Sequence, residues 1–141
     1  MRDRRLKKGK AGVLLVMTLV MGGCASLHSS GNPAEMVSRR AQARWDALVK
    51  GDLKAAYGYL SPGYRRLKPF ERWKRGIFGV GIWQDARVDK VACPKADVCD
   101  VTVLVTSRLM VPRIGKPMVS TTPVYERWVY EGGDWWYLPG Q

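Results

Sequence analysis

Histidine is almost missing from this sequence: His28 is its one copy in 141 residues. That position precedes the region patterned as a folded domain. A histidine general base, a serine–histidine–acid triad and a histidine-ligated zinc are therefore excluded as readings of the domain. No Gly-x-Ser-x-Gly elbow occurs, and Gly76, Gly79 and Gly81 lack the Lys-Ser/Thr that a phosphate-cradling loop requires. Of the carboxylates on the helical part, Asp52 reads as a helix cap and Asp46 as a solvated residue, which leaves no acid–base pair. The expectation is a protein that is not an enzyme and holds no cofactor or metal. Repeats and low-complexity tracts are absent, and no apolar run approaches the roughly 20 residues of a membrane-spanning helix.

What is present begins with charge. Lys and Arg number 24 against 12 Asp and Glu, a net +12. Residues 1–23 hold six of those bases (Arg2, Arg4, Arg5, Lys7, Lys8 and Lys10) and one acid, Asp3. The remainder has 18 bases and 11 acids, a balance of +7. Half of the apparent nucleic-acid signal thus belongs to the amino terminus. After it, Ala11 to Met21 run without a charge, then Gly22 and Gly23 precede Cys24. Positive, apolar, small is the order of a secretory signal, whose apolar core needs only about 7–15 residues.

Met21-Gly22-Gly23-Cys24 resembles a bacterial lipobox, with Met where Leu is preferred. The resemblance implies cleavage before Cys24, a diacylglyceryl thioether on its sulfur and an N-linked acyl chain such as palmitate. Two or more acyl chains anchor durably where one holds only marginally. Ala25 rather than Asp follows the cysteine, which by resemblance to lipoprotein sorting in Gram-negative envelopes implies the outer membrane, facing the periplasm. The competing reading is an uncleaved signal anchor. The organisation expected is a signal peptide (1–23), a lipidated tether (24–33) and one domain (34–141), a length that can bury about two-thirds of its unfolded surface. An exported chain is not expected to meet nucleic acid.

Asn32 and Pro33 pattern as the cap and first residue of a helix, with Glu35 in its first turn. Val37, Ala41, Trp45, Leu48 and Val49 keep helical spacing, while Arg39, Arg40, Gln42, Arg44 and Asp46 fill the remaining positions. Gly51 stops this helix and Asp52 caps a second, whose Leu53, Ala56, Tyr57 and Leu60 form an i, i+3, i+4, i+7 stripe expected to be buried. Ser61-Pro62-Gly63 breaks it. A third short helix is expected from Pro69, with Phe70, Trp73 and Ile77 on one side. Strands are expected over 82–92, 98–111, 118–131 and 134–138, with a turn over 112–117 and a tight hairpin at Gly132-Gly133. Val101, Val103 and Val105 share one face; Thr102, Leu104 and Thr106 share the other. Helices followed by an antiparallel meander make the class α+β.

Cys93 and Cys99 bracket a predicted hairpin tip. In an oxidising compartment they should pair as a disulfide that pins the hairpin register. Five residues separate them, where a redox-active pair has two.

The helix ending at Lys50, the Gly51-Asp52 turn, the second helix through Leu60-Ser61-Pro62, and the closing Tyr125–Tyr130 and Asp134–Leu138 resemble the nuclear transport factor two-like superfamily. The resemblance covers about residues 34–138. It implies amino-terminal helices packed on a curved antiparallel sheet, a cystatin-like cone. Members include isomerases, cyclases, secretion scaffolds and binding modules, so the fold alone does not name an activity. None of their acid, histidine or tyrosine motifs can be matched here. Trp45, Tyr57, Trp83, Trp128 and Tyr130, with Trp73 and Trp136, are candidates to line a ligand cone, or are ordinary core. Arg65, Arg66, Lys68, Arg72, Lys74 and Arg75 form a candidate patch for anionic lipid or an acidic envelope protein, or the solvated face of a helix. The function expected is a lipid-anchored, non-enzymatic binding or assembly module; the alternative is a carrier or sensor of a small apolar ligand, and third an isomerase- or cyclase-like enzyme.

Overall fold

Asn32 starts the first helix as the spacing predicts: its side chain accepts from the Ala34 N–H at 3.1 Å, and Pro33 takes the first helical position. The computed structural model describes residues 31–113 and 115–140. The amino-terminal segment, Cys24 and most of the tether lie outside the described residues.

Helix α1 runs Pro33–Lys50 and ends at Gly51, whose φ of 76° is the left-handed conformation a side chain would resist. Asp52 then caps α2 (Leu53–Gly58) by accepting from Ala55 N–H at 3.0 Å. Ser61-Pro62-Gly63 does more than break this helix. Ser61 accepts from Tyr64 N–H, Pro62 takes the first position, and α3 (Pro62–Leu67) begins. The helix expected from Pro69 is therefore the fourth, α4 (Phe70–Lys74), one turn and a half long, with Ile77 beyond its end. Trp73 on it is buried, while Phe70 and Ile77 are half-buried. The local reason for the extra helix is that Ser-Pro both terminates one helix and supplies the N-cap and first residue of the next.

Strands β1 (Trp83–Lys95), β2 (Val98–Val111), β3 (Lys116–Glu131) and β4 (Asp134–Leu138) pair in chain order as an open antiparallel sheet. The class is α+β. Register shifts at Trp83/Asp85, Val88/Lys90 and Ala92/Lys95 put bulges into β1, the bends that let an edge strand wrap. Gly132 and Gly133, at φ 61° and 89°, close the β3–β4 hairpin in two residues. The β1–β2 turn is equally short, so Cys93 and Cys99 lie on the strands beside it rather than in a loop; they form the disulfide.

Val101, Val103 and Val105 are fully buried, and Thr102, Leu104 and Thr106 are half-exposed, which gives the sheet one covered and one open face. Against the covered face α1 packs Val37, Ala41, Trp45 and Leu48. Burying Val37 or Leu48 is worth about 1.5–3 kcal/mol each. The stripe on α2 is only partly inside: Ala56 and Leu60 are fully buried, whereas Leu53 and Tyr57 are half-buried because α2 is under two turns long and lies over α1.

The two outer strands are each met at one point by residues outside the named strands. Tyr59–Ser61 runs beside β4: Tyr137 N–H donates to Tyr59 O at 2.8 Å and Ser61 N–H donates to Tyr137 O at 3.0 Å. On β1, the Gln42 amide donates to Ala86 O at 2.8 Å and accepts from Val88 N–H at 2.9 Å. One side chain there supplies the rung of a missing strand at a bulge.

Candidate functional site

The centre of the domain is polar. Arg44 and Trp45 descend from α1; Glu126 and Trp128 rise from the covered face of β3; Tyr137 stands beside Trp128 on β4. Glu126 Oε1 accepts from Arg44 Nη1 at 2.5 Å and from Trp45 Nε1 at 2.7 Å, and its Oε2 accepts from Trp128 Nε1 at 3.0 Å. The Arg44 and Glu126 side chains are 6 % and 1 % exposed, so the ion pair is removed from water. The guanidinium also lies 4.0 Å from the centroid of the Tyr137 ring. A buried carboxylate survives when several donors satisfy it, and three do so here.

Burial pushes the Tyr137 hydroxyl above the ordinary tyrosine value of 10.0. The Arg44 charge opposes that rise, and Glu126 and Tyr64 add to it. A folded-state pKa above the unfolded one means that stability is whole below about pH 10 and is lost as pH climbs through the folded value. Urea unfolding at pH 9 and pH 11 should therefore show a weaker fold at pH 11. In Tyr137→Phe the part of that loss due to this hydroxyl should vanish.

The sequence pattern placed Arg44 among polar fillers, yet it stands seven after Val37, three after Ala41 and four before Leu48, on the apolar stripe. Glu126 likewise has the strand parity of Val124 and Trp128. Two opposite charges on inward positions was the signal available.

The aromatic candidates are not gathered round one space. Trp45 packs edge-on to Trp83 at 5.4 Å and bonds Glu126. Gly79 makes that packing possible, since its backbone rests on the Trp83 ring where a Cβ would collide. Tyr57 belongs to a second cluster with Phe70 and Trp73, at 5.3 Å from each, and its hydroxyl donates to the Lys68 carbonyl at 2.9 Å. Trp128 is fully buried against Glu126 and Tyr137. Tyr130 is exposed and pairs with Trp135. Trp136 receives the guanidinium groups of both Arg40 and Arg65, at 5.1 Å and 5.4 Å. In these positions Trp45 and Trp128 are core, and only Tyr130 of the five is an open surface.

The basic stretch is divided between α3, Lys68–Pro69 and α4. Arg65 is half-buried over Trp136, while Arg66, Arg72, Lys74 and Arg75 are exposed. Lys68 lies 6.0 Å over Tyr64 and Lys74 5.9 Å over Phe70. Pro69 separates two short helices, so the six bases do not share one helix face.

Two surface grooves flank the carboxyl-terminal segment, and none of the five cone candidates lines either. One, about 580 Å³, opens on the sheet's uncovered face among Asp100, Thr102, Tyr125, Arg127 and Leu138. The other, about 730 Å³, lies between α3 and the end of β3, among Tyr64, Leu67, Lys68, Arg72, Val129 and Leu138. Among the described residues no three His, Cys, Asp or Glu side chains stand together to hold a metal ion, and no helix is long and apolar enough to cross a membrane.

Fold and centre together define a small α+β domain with an antiparallel meander and a buried ion pair at its centre. No protein-family model matches the chain, and no curated protein matches it.

Proposed function

We propose that this chain is a lipid-anchored cell-envelope protein, attached through Cys24 to the outer membrane, whose domain is a non-enzymatic binding or assembly module with a cone-like fold of the nuclear transport factor two-like kind. The observation carrying the module reading is the filled interior. Arg44, Trp45, Glu126, Trp128 and Tyr137 bond and stack with one another, and they occupy the volume between helices and sheet where a ligand cone would open. The three bonds that Glu126 accepts all come from core side chains, which supports a structural rather than a catalytic use of this carboxylate. Recognition is then a property of the outer surface. The lipobox supports the anchor, and the +7 balance of the chain after residue 23 suits an anionic envelope component.

Intact mass of the protein from host membranes, beside a Cys24→Ser variant, tests the anchor. The expected mass is that of residues 24–141 plus a diacylglyceryl group and an acyl chain, with the variant unprocessed. An unmodified full-length chain in the soluble fraction would overturn it.

A carrier of a small apolar ligand is favoured by one observation, the 730 Å³ groove, which is of small-molecule size and mixes Tyr64, Leu67, Val129 and Leu138 with the cations Lys68 and Arg72. In that reading the ligand lies outside the aromatic interior, under α3.

A further inference from the structure

Exposed large apolar side chains are not scattered over this domain. Six of ten such residues, Phe78, Val80, Leu109, Met110, Met118 and Val119, stand at one end. The reason is topological. β1 begins opposite Ser107, and β4 pairs only with Arg127–Glu131. The rungs from Leu109↔Met118 to Val111↔Lys116 therefore project as a two-stranded arm with neither flank paired to another strand. Leu109 and Met118 face one side of the arm, Met110 and Val119 the other. A two-stranded ribbon is marginal in water on its own, and one apolar on both faces needs surroundings on both. The Ile77–Ile82 loop joins the arm at its base, where Arg108 N–H donates to Ile82 O at 2.8 Å, so Phe78 (87 % exposed) and Val80 belong to the same end.

The charge on the arm itself has one sign. Between Ser107 and Tyr125 the chain carries Arg108, Arg113 and Lys116 and no acid, and Lys74 and Arg75 lead into the loop. Asp85, paired with Thr106, lies at the arm's base, and Asp52 caps α2. Apolar side chains on a projecting arm that also carries cations fit the headgroup layer of an anionic bilayer. The unpaired strand edges limit the depth, because open backbone groups are not tolerated in hydrocarbon. A second copy of the arm would set three bases against three, and Pro117 and Pro123 on the open edge of β3 oppose strand pairing.

We infer that the β2–β3 arm and the Ile77–Ile82 loop dock this domain on an anionic lipid bilayer, seating Phe78, Met110 and Met118 at the headgroup boundary. This narrows the partner in the envelope reading to a lipid surface, and it does not depend on acylation of Cys24.

The test uses the full chain with Cys24→Ser, so that Met118→Cys supplies the single free thiol for an environment-sensitive fluorophore. A second chain carries the label through Ala96→Cys, in the β1–β2 turn at the other end of the sheet. On vesicles containing phosphatidylglycerol the label at 118 should shift to the blue and be quenched by spin-labelled lipid. On pure phosphatidylcholine it should not, and the label at 96 should stay unshifted on both. Arg113→Gln in the turn with Lys116→Gln at the start of β3, both exposed, should weaken the titration about 25-fold, since each surface base contributes about fivefold. No shift at 118 on phosphatidylglycerol overturns the inference. So does an equal shift at 96 and 118, which would mean the amino-terminal segment carries the domain down. A shift that grows with protein concentration without vesicles assigns the arm to a second copy instead. The anchor itself is read by the mass of the acylated chain, so either idea can fail alone.

Discussion

Replacing Glu126 with leucine should lower the stability of the domain by about 3–5 kcal/mol, because it strands the Arg44 guanidinium in a site from which water is excluded. The indole N–H groups of Trp45 and Trp128 lose their acceptor in the same step. Leucine fills much of the volume, so the loss reads as unsatisfied polarity rather than as a cavity. Total stability for a domain of this size is about 5–15 kcal/mol, so the variant should sit near the edge of folding. Urea unfolding of Glu126→Leu, Arg44→Met and the double variant makes the measurement. Removing both charges should restore part of the loss and leave a residue of about 1–3 kcal/mol for the orphaned indoles. A cost below about 1 kcal/mol for Glu126→Leu would show that the carboxylate is not satisfied as described, and the filled-interior reading would lose its foundation.

Leu60→Ala should cost about 2–5 kcal/mol. Leu60 is fully buried and lies past the end of α2, where Tyr59–Ser61 closes the edge of β4. The substitution leaves the backbone bonds to Tyr137 in place and removes only the side chain. The cost is therefore that of a cavity between α2 and the sheet, and the unfolding midpoint should move without a change in the denaturant slope. A loss under about 0.5 kcal/mol would mean that this corner collapses freely and that the edge closure is not packed.

These residues also mark how much is legible without the fold. The helix ends are legible because capping is local chemistry: Asn32-Pro33, Gly51 and Asp52 each act on backbone groups two or three residues away. Strand positions and the inward face of β2 are legible because alternation survives without knowledge of the partner strand. The burial of Leu60 is expected from an i+7 spacing, yet the chain has left the helix by then; the right outcome comes from a different cause. Ser61-Pro62 reads as an ending in the sequence and is also a beginning in the fold, since the same two residues serve both uses.

The site is less legible. Arg44 and Glu126 are 82 positions apart, and each taken singly is an ordinary surface residue type. Only the crossing of α1 over β3 brings them together with two indoles. Gln42 patterns as a solvated residue for the same reason: its role depends on a bulge in β1. The aromatic candidates spread over several ring pairings because twelve Trp and Tyr residues can be assigned to a face but not to a partner. The basic stretch from Arg65 to Arg75 is visible as composition, whereas the acid-free arm gains meaning from where β1 and β4 stop.

Composition and local pattern by themselves determined the α+β class, the caps, the strand order as a meander and the pairing of Cys93 with Cys99, because each depends on interactions short in sequence. Tertiary structure alone decided which charges are buried, which aromatics share a cluster and which apolar side chains remain outside. Those outcomes depend on contacts between distant segments, and a short-range pattern carries no information about which segments will meet.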